Sequence, residues 1–333
     1  MNRLTSANVL TFVIATLGLT ACAGSADDPA IEADEIAAQA VAAAPQAGAD
    51  AAQGADDEPA VNAEPDPAGG TLEPILPQVT GACPQFRSGS MTVMGSRATV
   101  YAGAKKQGTG SLVFYFYGTG KLGGVSMLPA SVRNQITNDG GIVFALQQAK
   151  NTGGDCSGTG TWGIDDMKIL DQVAACAVQE HGIDPRRIYA TGCSAGGLFT
   201  GCVGIMRSNY IAAVAPNSGG VTIGYGKLQR KEWMPNAINM HGGGGDNVIV
   251  NFGQTSEAYA NYVLKWGGFA VDCNHGSGHC GAGAVYPTAW QFLKDHPYGT
   301  KPSPWAAGIP SGSHRSCKIA QATERRPFGG FGE

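Results

Sequence analysis

Residues 187–206 read RIYATGCSAGGLFTGCVGIM, and the middle of this stretch decides how the chain folds. Arg187 to Thr191 has the β-branched and aromatic composition of a strand, whereas Ser194 to Met206 is small and apolar with helical spacing. Between them lies Gly192-Cys193-Ser194-Ala195-Gly196, a G-x-S-x-G in a strand-turn-helix setting. A turn this sharp strains the serine backbone and needs glycine on both sides, because a Cβ at either position would collide with the adjacent strand or helix. The pattern predicts an elbow that projects the Ser194 hydroxyl into open space; an inert serine on a glycine-rich turn is the alternative.

Outward from this turn, strand and helix patterns alternate. Ser111 to Tyr117 (SLVFYFY) reads as a buried strand with Gly118-Thr119-Gly120 as its exit loop, and Gly141 to Leu146 repeats the pattern. Asp165-Asp166 opens a helix predicted over Met167 to His181, which Gly182 ends before Asp184-Pro185. Ile211 to Ala215 and Ala237 to Met240 read as further strands, and Ser256 to Trp266 as a further helix. Such alternation predicts an α/β domain with a mostly parallel central sheet flanked by helices, and in such sheets function gathers at the carboxyl ends of the strands.

A serine hydroxyl is a poor nucleophile at neutral pH, so it needs a histidine base and a carboxylate that orients the histidine. For a serine on such an elbow the chain order is Ser, then Asp, then His. Asp246 follows the strand at 236–240 within His241-Gly-Gly-Gly-Gly-Asp246, which places it at a strand end; Asp272 is the rival, read as following a helix. Of the histidines at 181, 241, 275, 279, 296 and 314, only those after Asp246 fit the order. His279 is the candidate base, because its small-residue loop Gly276-Ser277-Gly278 could bring the imidazole over Ser194; His275 is the alternative. His296 and His314 are assigned to the surface or the C-terminal segment, and His241 to packing beside its strand end. Acyl transfer also needs donors for the developing oxyanion, for which the backbone N–H of Ala195 and that of Thr119 are the candidates.

The chain is uneven along its length. Residues 1–22 read as a signal peptide, with Arg3 before an apolar run from Val9 to Leu19 that is too short to span a bilayer. Leu19-Thr20-Ala21-Cys22 resembles a bacterial lipobox, which implies lipid attachment at Cys22 and anchoring to a membrane, with Ala23 resembling outer-membrane sorting. Plain secretion is the alternative. Residues 23–80 carry 12 acidic residues, no Lys or Arg and no aromatic residue, so they read as a disordered acidic stalk. Residues 81–333, the predicted catalytic domain, carry 21 Lys and Arg against 14 acidic residues, without the clustered stripe that nucleic-acid binding needs. Removing Cys22 leaves eight cysteines, an even number that in an exported domain suggests four disulfides of open connectivity. Zinc held by Cys273, His275, His279 and Cys280 is the weaker reading, because an oxidising compartment favours disulfides. No metal or organic cofactor is expected.

Residues 184–220, DPRRIYATGCSAGGLFTGCVGIMRSNYIAAVAPNSGG, resemble the elbow region of the polyhydroxybutyrate depolymerase and feruloyl esterase group of α/β-hydrolases, a likeness that covers most of residues 108–300. The resemblance implies an exported serine esterase in which Ser194, Asp246 and His279 match the family triad, although Tyr117-Gly118 stands where the family usually has His-Gly. Cys193 directly precedes the serine and Cys280 directly follows the histidine. That arrangement is similar to the tannase and fungal feruloyl esterase group and implies a Cys193–Cys280 disulfide, with Cys280 paired to Cys273 as the alternative. The implied substrates are hydroxyalkanoate oligomers or polymer, or feruloyl or acetyl esters of polysaccharide. A serine peptidase and a non-catalytic surface-binding protein are the competing classes. Tyr117, Trp162, Tyr225, Trp233, Tyr286 and Trp290 are available to line a cleft or to fill the core.

Overall fold

A computed structural model describes residues 72–148, 154–156, 159–222, 226–248 and 250–324. The expected signal peptide, Cys22 and most of the expected acidic stalk lie outside these residues. Among the described residues, nine strands form one sheet: β1 (Gly89–Val93), β2 (Ser96–Ala102), β3 (Gly110–Phe116), β4 (Ile142–Gln148), β5 (Ile183–Cys193), β6 (Ala213–Asn217), β7 (Asn236–His241), β8 (Ala270–Asn274) and β9 (Cys317–Ile319). Their spatial order is β1-β2-β4-β3-β5-β6-β7-β8-β9. The five pairings from β4 across to β8 are parallel, and antiparallel pairings close the two edges.

The apolar runs of the central strands exist because both faces of the sheet are covered. In β3, Leu112, Phe114 and Phe116 enter one apolar cluster while Val113 and Tyr115 enter the other. Helices α2 (Met167–Cys176), α3 (Ala195–Met206) and α4 (Phe252–Lys265) contribute to the first cluster; α1 (Ala130–Asn138) and α5 (Tyr286–Asp295) contribute to the second. This is the α/β-hydrolase fold.

Several elements differ from the sequence reading. Strand β5 is longer than Arg187 to Thr191 and runs up to Cys193, so the elbow begins directly at its last residue. The helix expected over 167–181 is α-helical only to Cys176 and continues as a π-turn over Ala177–His181, ended by Gly182 in the left-handed region. Asp272 lies inside β8 rather than after a helix.

The chain before Gly81, read as the end of a linker, lies along the domain. Ile75 exchanges two hydrogen bonds with Asn209, Thr80 N–H donates to Gln172 Oε1 at 2.8 Å, and Leu76 and Val79 pack against the core. Four disulfides tie the described residues: Cys83–Cys176, Cys156–Cys202, Cys193–Cys280 and Cys273–Cys317. The first of them fixes the start of the domain to α2. A chain beginning at Gly81 should therefore melt about 4 °C or more below one beginning at Leu72, measured by calorimetry at one pH, because it loses these hydrogen bonds and two apolar contacts.

Candidate active site

At the elbow, the steric argument from sequence has a measurable form. A Cβ on Gly196 would come 2.2 Å from the Phe116 carbonyl oxygen, and one on Gly192 would come 2.6 Å from that of Gly196. Neither position accepts a side chain. Ser194 itself is held at φ 59°, ψ −123°, a conformation that L-residues rarely adopt. Its N–H donates to Asn217 O at 3.1 Å, and its carbonyl receives the Leu198 N–H as α3 begins.

Over the serine lies the exit loop of β3. Gly118 lies so close that a Cβ there would sit 3.2 Å from Ser194 Cβ. The next residue, Thr119, opens a short 3-10 turn over Thr119–Lys121, and Ala195 is the first residue of α3, where first-turn N–H groups lack an intrahelical acceptor. Both candidate oxyanion donors therefore stand beside the serine. The loop is braced from the far side: Thr119 Oγ1 and Thr161 Oγ1 are 2.9 Å apart, and Trp162 Nε1 donates to Tyr117 O at 3.0 Å. Trp162 is fully buried and stacks on Phe199 of α3.

The acid and the base also meet. His279 Nδ1 is 2.7 Å from Asp246 Oδ1, with the carboxylate fully buried at the end of the loop that follows β7. Asp246 Oδ2 accepts from Ser218 Oγ at 2.7 Å and from the Gly242 N–H at 2.9 Å. Burial alone would raise the Asp246 carboxyl, but the hydrogen bonds from His279, Gly242 and Ser218 outweigh it and hold the group below its ordinary value. The Phe252 ring lies 4.7 Å from the imidazole, centroid to centroid.

Both rivals are engaged elsewhere. Asp272 Oδ1 lies 2.9 Å from His241 Nε2, with Lys318 Nζ 3.6 Å from its other oxygen. His275 Nδ1 receives the Ser277 N–H at 3.1 Å, within its own loop. His296, assigned to the surface or the C-terminal segment from sequence, is buried beside Phe292 and Trp305, and burial is tolerated because Nδ1 lies 2.7 Å from Phe292 O and Nε2 2.7 Å from Ser303 Oγ.

The Cys193–Cys280 bond holds the residue before Ser194 and the residue after His279 at a Cα–Cα distance of 5.6 Å. Cys273, the alternative partner, is bonded to Cys317, so both cysteines of the zinc reading are consumed in disulfides. Among the described residues no group of three His, Cys, Asp or Glu is placed to hold a metal ion. Of the aromatic residues considered for a cleft, Tyr117, Trp162, Trp233, Tyr286 and Trp290 are all core, and Tyr225 lies outside the described residues. A separate cavity of about 470 Å³, lined by Lys106, Gly108, Thr109, Asp139, Asp184 and Arg187, lies by the amino-terminal ends of β3 and β5, away from this chemistry.

With the fold and site in hand, relatives can be placed. No family model matches the chain. The solved structures of native pOPH and native sOPH each align with 74% of this chain and 99% of their own, at a TM-score of 0.54 and 15% and 18% identity, a likeness of fold. A bifunctional acetylxylan esterase/xylanase of Neocallimastix patriciarum is 34% identical over 109 residues, 32% of this chain, and the match spans only 16% of that protein's length.

The Asp246 geometry carries a pH dependence. A carboxyl held below its ordinary value contributes stability that is complete above the usual carboxylate range, about 3.9 for Asp, and that is lost as the pH falls through and below it. Thermal denaturation between about pH 6 and pH 3 should show the wild-type midpoint falling more steeply than that of Asp246→Asn; parallel slopes would contradict an ionised, hydrogen-bonded Asp246.

Proposed function

We propose that the protein is an exported carboxylic ester hydrolase that works through an acyl-enzyme on Ser194. The observation that carries the reading is the conjunction at one end of the sheet: a serine on a strained elbow, a histidine bonded to a buried carboxylate, and a disulfide joining the residues adjacent to both. His279 takes the Ser194 proton as the hydroxyl attacks the ester carbonyl and returns it to the leaving alcohol. Asp246 orients the imidazole and supports its positive charge, and the N–H groups of Ala195 and Thr119 receive the developing oxyanion. Water then repeats the sequence to release the acid.

The partial likeness to an acetylxylan esterase favours a short acyl group on a polysaccharide, with hydroxyalkanoate oligomers as the second substrate class. A peptidase of the same fold and a non-catalytic binder remain the competing classes, separated by an amide panel beside an ester panel. Four disulfides fit an extracellular location, and no described helix is long and apolar enough to cross a membrane. Membrane attachment is proposed through a lipid on Cys22.

Hydrolysis of p-nitrophenyl acetate and butyrate, and release of acetate from acetylated xylan, should fall by about 10³-fold or more in Ser194→Ala, since members of such a triad act as a unit. Equal activity of the variant would remove Ser194 from the mechanism. Substituting serine for Cys193 and Cys280 together should lower kcat and raise proteolytic sensitivity of the loop at 275–281; unchanged kcat would mean that the crosslink does not position the base.

A further inference from the structure

We infer that Ser218, at the exit of β6, is a positioning residue for the reaction, coupling the carboxylate of Asp246 to the backbone that carries His279. The inference rests on the proposed roles of Ser194, His279 and Asp246. One oxygen makes both contacts: Ser218 Oγ donates to Asp246 Oδ2 at 2.7 Å and accepts the Cys280 N–H at 2.7 Å. Asp246 and Cys280 lie on different loops, 28 and 62 residues further along the chain, so this hydroxyl is a direct bridge between the acid and the residue next to the base. The preceding residue completes the clamp. Asn217 O accepts the Ser194 N–H at 3.1 Å, and Asn217 Nδ2 donates to Cys280 O at 3.1 Å. Two consecutive residues thus hold the elbow, the acid and the histidine loop.

The backbone at Ser218 is set for this purpose. Its φ of 43° lies in the left-handed region, where glycine is the unstrained choice, yet the position carries a hydroxyl. The Ser218 N–H is already used by Met240 O, the residue is fully buried, and its Oγ has no solvent to turn to. A hydroxyl that both donates and accepts fits a carboxylate on one side and an N–H on the other; a methyl in its place would leave the Cys280 N–H without this acceptor and take one donor from Asp246 Oδ2, which keeps the Gly242 N–H.

Removing the hydroxyl takes a donor from the carboxylate, so Asp246 Oδ1 becomes the stronger acceptor for the His279 Nδ1 proton. The other groups near the pair are His275, with His241 and His314 behind it, and His241 is engaged by Asp272, which also faces Lys318. Because these are imidazoles as well, the readout is the low-field resonance of the His279 Nδ1 proton itself, assigned by its loss in His279→Gln.

The test compares the wild-type enzyme with Ser218→Ala and Ser218→Gly. The glycine variant removes the hydroxyl together with the left-handed strain, so it covers the case in which alanine fails to fold. Expected are a fall of about 10- to 100-fold in kcat on p-nitrophenyl butyrate, a KM within about twofold of wild type, and a downfield shift of the His279 Nδ1 proton resonance. In an Asp246→Asn background, Ser218→Gly should leave that resonance where Asp246→Asn alone puts it. Unchanged kcat in Ser218→Gly, an unmoved His279 Nδ1 resonance, or the same shift with and without the Asp246 carboxylate would overturn the inference. If the wild-type protein hydrolyses no ester, the esterase reading falls, while the His279 Nδ1 resonance still decides whether Ser218 acts through Asp246.

Discussion

The disulfide between Cys193 and Cys280 is the constraint on which the site depends. It joins residues 87 positions apart, and closing a loop of that length restricts the unfolded chain by an entropy equivalent to about 4–5 kcal/mol. Its larger consequence is local. The last residue of β5 and the residue after His279 become one covalent unit, so the histidine loop cannot drift from the elbow without distorting a strand buried in the centre of the sheet. Asn217 and Ser218 reinforce the same junction by hydrogen bonds, so covalent and polar restraints converge on Cys280.

The sheet supplies the rigidity that this arrangement needs. Parallel strands covered on both faces are filled with large side chains, and that is why the aromatic residues of this chain are structural. Trp162 stacks on Phe199 and bonds the exit loop of β3, and Trp233 packs against Tyr298. A cleft built on this scaffold must be lined by the loops at the carboxyl ends, which are rich in glycine and present backbone more than side chains. Gly244 and Gly245, beside Asp246, are exposed with open space around their α-carbons.

Much of this was legible in the sequence, for identifiable reasons. The elbow could be read because sterics forces glycine at two fixed offsets from the serine, and the strand β3 because burial on both faces leaves an unbroken apolar run. Asp246 could be read from its place after a strand. Ser218 could not. Its partners lie on loops that only the sheet order brings together, and a serine followed by two glycines carries no local mark of that role. The hairpin β1–β2 escaped because β1 is five residues long and mostly exposed and β2 alternates buried with more exposed positions, and α1 because only Val132 and Ile136 face inward. Asp272 was read as following a helix because β8 is five residues long and interrupted by the charge itself. The segment from Leu72 to Thr80 looked like linker by composition, yet its few apolar residues and backbone groups find partners on the domain.

The proposed chemistry requires Ser194 to be the one hydroxyl activated by its surroundings. Mass-spectrometric peptide mapping after reaction of the oxidised protein with a fluorophosphonate, run at a pH where a free serine is inert, tests this. A single phosphonylated site, Ser194, is expected, with labelling that disappears in Asp246→Asn or His279→Gln. Label on another residue, or none at all on a correctly disulfide-bonded protein, would contradict it.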